Sequence, residues 1–223
     1  MYKSILVFIM CFGISFYSKA VNFGVSLSPI FRHYEMKPMF DAMDNSYIPW
    51  SNSFKIGVQL QHFEGEKYCF YSSLSYNSGR LSLPFISPID SRICILSPGK
   101  MHIAEYAFLY SYDIQLSKRI YLNPEIGVGI QFPFILKDDN TTIANGINEN
   151  YNSTPPPVVA ANANLWLKFE LNHNHTLKAG FCGNLPFYRT QLGTYTVNND
   201  EYAIKSGLGY MGIGLSYLFQ LNK

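Results

Sequence analysis

Chemistry in this chain would have to come from a few scattered side chains. His33 and His102 are candidate bases, and Ser78, Ser82 and Glu105 are the residues that could accompany His102. A hydrolase acting on lipid would need a nucleophile, a base and a group to orient the base, all within hydrogen-bond reach. None of these residues stands in a recognisable motif. His173-Asn174-His175 has metal-ligand residue types. A lone His-x-His in a short turn nevertheless reads as solvated. Asn140-Thr141-Thr142, Asn152-Ser153-Thr154 and Asn174-His175-Thr176 match glycosylation sequons, which an Asn-rich chain produces by chance. No phosphate loop, nucleophile elbow or cysteine metal cluster is present. The sequence therefore predicts no enzyme, with no catalytic, cofactor-binding or metal-binding residues.

The elements around these residues are more informative. Lys3, the apolar run 5–16 and Ser18-Lys19-Ala20 make a secretory signal, with cleavage expected after Ala20. Removing residues 1–20 takes Lys3 and Lys19 and no acid. Of 17 basic and 15 acidic residues, 15 of each remain, a formal net of zero. No basic patch argues for nucleic acid. Cys69, Cys94 and Cys182 stay in the mature chain, an odd count that makes a poor disulfide framework. The expectation is three free thiols, with Cys94 in an outer loop.

Charged residues are 14% of the chain, well below the roughly 25% usual in soluble proteins, so the surface is short of charge. Aromatics reach 16%, as expected where side chains gather at a membrane–water boundary. Mean hydropathy is near zero, too low for a helical membrane protein. These three facts together suit strands that alternate between lipid and a polar interior.

The last stretch, Ser206 to Leu221, shows the alternation best. Gly207, Gly209, Met211, Ile213, Leu215, Tyr217, Phe219 and Leu221 fall on one face, which becomes strongly apolar; Ser206, Leu208, Tyr210, Gly212, Gly214, Ser216, Leu218 and Gln220 fall on the other, which is small and mixed. Seven further alternating segments precede it: 22–32, 52–63, 67–77, 101–117, 120–132, 158–171 and 176–187. The connections alternate between long segments (33–51, 78–100, 133–157 and 188–205) and short turns (64–66, 118–119 and 172–175). Such a rhythm belongs to outer-membrane barrels, whose turns are short on one side and long on the other. The predicted fold is all-β: an eight-stranded antiparallel transmembrane β-barrel, up-and-down, spanning 21–223 as a single domain. Its last strand closes against its first, because lipid offers no hydrogen-bond partners to an open edge.

The polar faces would fill the bore. They hold Lys55, Gln59, Glu105, Asp113, Gln115, Glu125, Asn162, Asn164, Lys168, Glu170 and Lys178. Heights counted from the short turns predict two lumenal ion pairs, Glu125–Lys168 and Glu170–Lys178. Aromatics near strand ends predict two girdles. Phe31, Phe54, Tyr76, Phe132 and Phe187 lie on the long-loop side; Phe23, Tyr68, Phe169, Tyr217 and Phe219 lie on the short-turn side.

With its signal segment, its glycine-punctuated strands (IGVGIQF, GYMGIGLSYLF) and its loop rhythm, the chain resembles the outer-membrane β-barrel domain family common in Bacteroidota. More distantly it resembles the small eight-stranded barrels of other Gram-negative bacteria. The resemblance implies an outer-membrane protein with a plugged polar lumen and a structural or surface-interaction role. The implied partners are outer-membrane lipid, the barrel assembly machinery and an envelope or secretion complex; no cofactor is implied. Two alternatives remain open here: a lipid-modifying barrel enzyme, and a periplasmic lipocalin-like calyx holding an apolar ligand.

Overall fold

Antiparallel pairing closes a ring. The computed structural model describes residues 22–36, 50–64, 67–86, 93–137, 147–151, 153–172, 174–197 and 200–220. The expected signal segment and its expected cleavage site lie outside them, as do Gly65, Glu66, His173 and Leu221 and the side chains of His33, Ser82 and Cys94. The strands are β1 (Asn22–Met36), β2 (Trp50–Glu64), β3 (Tyr68–Ile86), β4 (Ile93–Tyr112), β5 (Ile114–Ser117), β6 (Ile120–Lys137), β7 (Ile147–Tyr151), β8 (Val158–Asn172), β9 (His175–Pro186), β10 (Thr190–Val197) and β11 (Asp200–Gln220). Neighbours run β1-β2-β3-β4-β6-β8-β9-β11, and β11 pairs back onto β1. Phe23 meets Phe219, Leu27 meets Leu215 and Phe31 meets Met211 along that seam. The eight predicted strands are all present. Asp113 interrupts one of them, leaving β5 as the lower continuation of β4 along β6.

Period-two alternation sorts the faces. Met211, Ile213 and Leu215 are 54–57% exposed on the outside, while Tyr210, Gly212, Gly214 and Ser216 between them are buried. The same parity exposes Phe54, Ile56, Phe108, Ile126, Val128, Leu165, Leu167 and Phe181. An apolar-ligand calyx would turn these residues inward, so the soluble-calyx alternative fails here.

The bore is narrow, and inward glycines make room for its large residues. A Cβ on Gly214 would lie 2.8 Å from the Trp166 ring. Gly214→Val therefore forces the indole aside. We expect a loss of about 1–3 kcal/mol from overpacking, together with a changed near-ultraviolet circular dichroism signal; an unaltered spectrum would contradict this packing.

The long connections differ from expectation. Parts of 33–51 and 133–157 and most of 78–100 and 188–205 are strand, continuing beyond the barrel wall. β3 and β4 extend as a ribbon to Ile86 and Ile93, through a register shift between Leu81 and Leu83. Cys94 accordingly lies in β4, opposite Phe85, and not in a loop. β10 and β11 form a second ribbon, and β7 adds to its edge. Prolines disguised the first ribbon in the sequence. Pro84 and Pro98 suggest a loop, yet a two-stranded ribbon tolerates proline because each strand has one unpaired edge.

Candidate functional site

The interior is where this sheet places its charge. Among the described residues three lysines project inward, and each meets a carboxylate and lies over a tyrosine ring. Uppermost, Lys55 Nζ is 3.2 Å from Glu105 Oε2 and lies 4.5 Å from the Tyr210 ring centroid. The Tyr210 hydroxyl donates to the same Glu105 oxygen at 3.1 Å and also bonds Lys55. In the middle, Lys178 Nζ is 2.7 Å from Glu125 Oε1, both side chains 1% exposed. Lys178 also donates to the Tyr71 hydroxyl at 3.3 Å. The other Glu125 oxygen accepts from Trp166 Nε1 at 2.8 Å and Asn164 Nδ2 at 2.9 Å. Lowest, Lys168 Nζ is 2.6 Å from Asp113 Oδ2 and 3.9 Å from Glu170 Oε1. Asn123 donates to Asp113 Oδ1 at 2.7 Å.

The predicted residues are thus brought together, but with other partners. Glu125 pairs with Lys178 and not Lys168; Glu170 approaches Lys168 and not Lys178. Counting from turns treats strands as upright, whereas barrel strands tilt by about 35–45°. In register, Tyr121 and not Glu125 stands opposite Lys168, and Lys178 stands opposite Lys168 itself. Lys178 on β9 reaches past β8 to Glu125 on β6. Gln115 is another correction, since it is exposed in β5.

The lumen is also less polar than expected. Ile30, Trp166, Cys182 and Tyr210 form one buried apolar cluster. Cys69, Tyr71, Leu109 and Leu218 form another. At the long-connection end, Met101, Ile103, Ile135, Val158 and Leu208 are each 2% exposed or less. Bulk and apolarity close that end. The short-turn end opens into a cavity of about 580 Å³ that includes Lys118, Arg119, Lys168 and Glu170 in its lining.

Cys69 and Cys182 are buried and unbridged, on β3 and β9. We expect thiol reagent to label them only after denaturation. Three equivalents per mature chain would then react without reductant, and fewer would reveal a bridge to Cys94.

The outer surface shows both girdles, with one exception. Phe31, Phe54, Tyr76, Phe187 and Tyr68 are exposed; Phe23, Phe169, Tyr217 and Phe219 are half-buried. Phe132 is 7% exposed and does not join its girdle. β8 begins at Val158, opposite Gln131, so it stops short of Phe132. The preceding segment crosses at this level, where the Ile135 N–H donates to the Ser153 carbonyl at 3.0 Å.

Among the described side chains, His102, Ser78 and Glu105 do not assemble into a catalytic set. Ser78 stands opposite His102 in register, but Glu105 faces the bore, on the other side of the sheet from His102. His102 Nδ1 instead bonds the Tyr76 hydroxyl, with the two rings stacked at 5.8 Å. A matching pair occurs at the opposite rim, where His175 Nδ1 and the Tyr217 hydroxyl are 2.5 Å apart.

No protein-family model matches the chain, and no curated protein matches it in sequence. Solved structures do resemble it. The outer membrane protein OprG from Pseudomonas aeruginosa superposes with a TM-score of 0.59 at 11% identity, covering 92% of this chain and 98% of that one. Neisserial surface protein A gives 0.49 at 9% identity over 89% and 97%. The Escherichia coli outer membrane protein W gives 0.42 at 9% identity over 92% and 100%. The OprG match shows the fold: a closed eight-stranded barrel of the small outer-membrane type.

Proposed function

We propose that the mature chain is an integral outer-membrane protein that catalyses nothing. Its bore is closed by its own side chains, and its role lies in the strand ribbons beyond the long-connection rim, which serve as a structural or surface-interaction element. One observation carries the reading: apolar side chains face outward while, among the described residues, every lumenal lysine is paired inside. From His102 to Tyr112 the outward face of β4 spans eleven residues, or ten residue steps. At about 3.3 Å per residue and a tilt near 40°, that is about 25 Å, the height of an apolar barrel band. Lipid is the solvent in which such a surface costs nothing. Export through the leader, insertion by the barrel assembly machinery and membership of the Bacteroidota-type family complete the reading. A place in an envelope or secretion complex would use the ribbons.

Membrane fractionation tests it. The protein should stay in outer membranes washed with carbonate, leave them only in detergent, and migrate faster in gels unless boiled. Release by carbonate alone would overturn the reading. Lipid A profiles of a deletion strain should match wild type; a changed profile would restore the enzyme alternative.

A further inference from the structure

A second, smaller space lies inside the bore, at the level of Glu105. It measures about 30 Å³, has Ser75, Glu105, Asn162 and Trp166 in its wall, and shares no lining residue with the cavity at the short-turn end. Three of its side chains are unsatisfied. Ser75, Glu105 and Asn162 are each 5% exposed or less. Ser75 Oγ, Glu105 Oε1 and Asn162 Nδ2 are buried without a hydrogen-bond partner. The other Glu105 oxygen has two donors, Lys55 Nζ at 3.2 Å and the Tyr210 hydroxyl at 3.1 Å. A bare carboxylate oxygen and a bare amide donor are costly in a folded interior. Their positions converge. A Cβ on Gly129 would lie 2.6 Å from Asn162 Nδ2 and 3.3 Å from Glu105 Oε1, so both atoms face one space over that glycine. Ser75 stands directly opposite Glu105 in the β3–β4 register, which brings its hydroxyl to the same layer.

Size and charge select the occupant. A buried water needs about 10–15 Å³ and makes about three hydrogen bonds. Lys55 already meets the charge of Glu105, so the space suits a neutral guest and not an ion. We infer that Glu105, Asn162 and Ser75 hold an internal water as a fixed part of the bore. The water donates to Glu105 Oε1 and accepts from Asn162 Nδ2 and from the Ser75 hydroxyl, which rotates to give its proton. The carboxylate on β4 is thereby tied to β3 and β8. The site needs only the closed barrel, whatever role the ribbons serve.

Nuclear magnetic resonance of the full mature chain, folded in detergent micelles, tests this. The Asn162 side-chain amide protons should show an Overhauser cross-peak to the water resonance. Its sign should reverse in the rotating frame, as for a water that tumbles with the barrel; proton exchange keeps one sign in both. Ser75→Ala removes a hydroxyl proton that could imitate water, and it should keep the cross-peak because two partners remain. Gly129→Ala puts a methyl group into the space and should abolish it. The inference is overturned by a wild-type spectrum with no such cross-peak or with exchange alone. Loss of the cross-peak in Ser75→Ala, or its retention in a folded Gly129→Ala barrel, would overturn it equally. The wild-type and Ser75→Ala spectra decide the matter if Gly129→Ala does not fold.

Discussion

Lys178→Met should cost about 3–5 kcal/mol of unfolding free energy, the usual penalty for removing one partner of a buried ion pair. Lys178 is completely buried, and its charge is met by Glu125 and the face of Tyr71. Without it, Glu125 keeps two hydrogen bonds, from Trp166 and Asn164, but no counter-charge within reach. Adding Glu125→Gln should recover much of the loss, because neighbours in one network are not additive. Denaturant midpoints of the three variants in vesicles measure this directly. A Lys178→Met barrel as stable as wild type would mean the bore holds enough water to solvate Glu125.

Ile213→Arg should cost about 2–4 kcal/mol in a bilayer, the range for a cation at the midplane of a barrel's lipid face. Ile213 is 55% exposed, midway along the outward face of β11. On a soluble protein an exposed site of this kind would tolerate arginine within about 0.5 kcal/mol. The same substitution at Lys205, which is exposed beyond the barrel wall, should be neutral. Vesicle unfolding of Ile213→Arg and Lys205→Arg therefore separates a lipid-facing belt from an ordinary surface.

The sequence made some of this legible and hid the rest for identifiable reasons. Two-residue alternation is local, so Ile213, Leu215 and Phe54 could be placed outside without knowing any partner. Closure of β11 on β1 followed from the absence of hydrogen-bond partners in lipid. Ion-pair partners depend on strand tilt, which no single strand records, so counting from the turns matches Glu125 to the wrong lysine. Phe132 has the parity of a girdle residue, but its burial comes from where β8 begins. The β3–β4 ribbon is hidden because Pro84 and Pro98 are strong loop signals until the pairing shows that each strand there has one side unpaired. At the rim, His102 and Ser78 do meet in register. Glu105 was placed with the inward set, and its parity also removes it from a triad with His102.

Fluorescence quenching by lipids brominated at mid-chain tests most directly which side of the wall meets hydrocarbon. One protein keeps Trp166 as its sole indole through Trp50→Phe. A second carries Ile213→Trp with Trp50→Phe and Trp166→Phe. The account predicts strong quenching of the indole placed at position 213 and little quenching of Trp166, which is enclosed by the bore. Strong quenching of Trp166 with none at position 213 would contradict it.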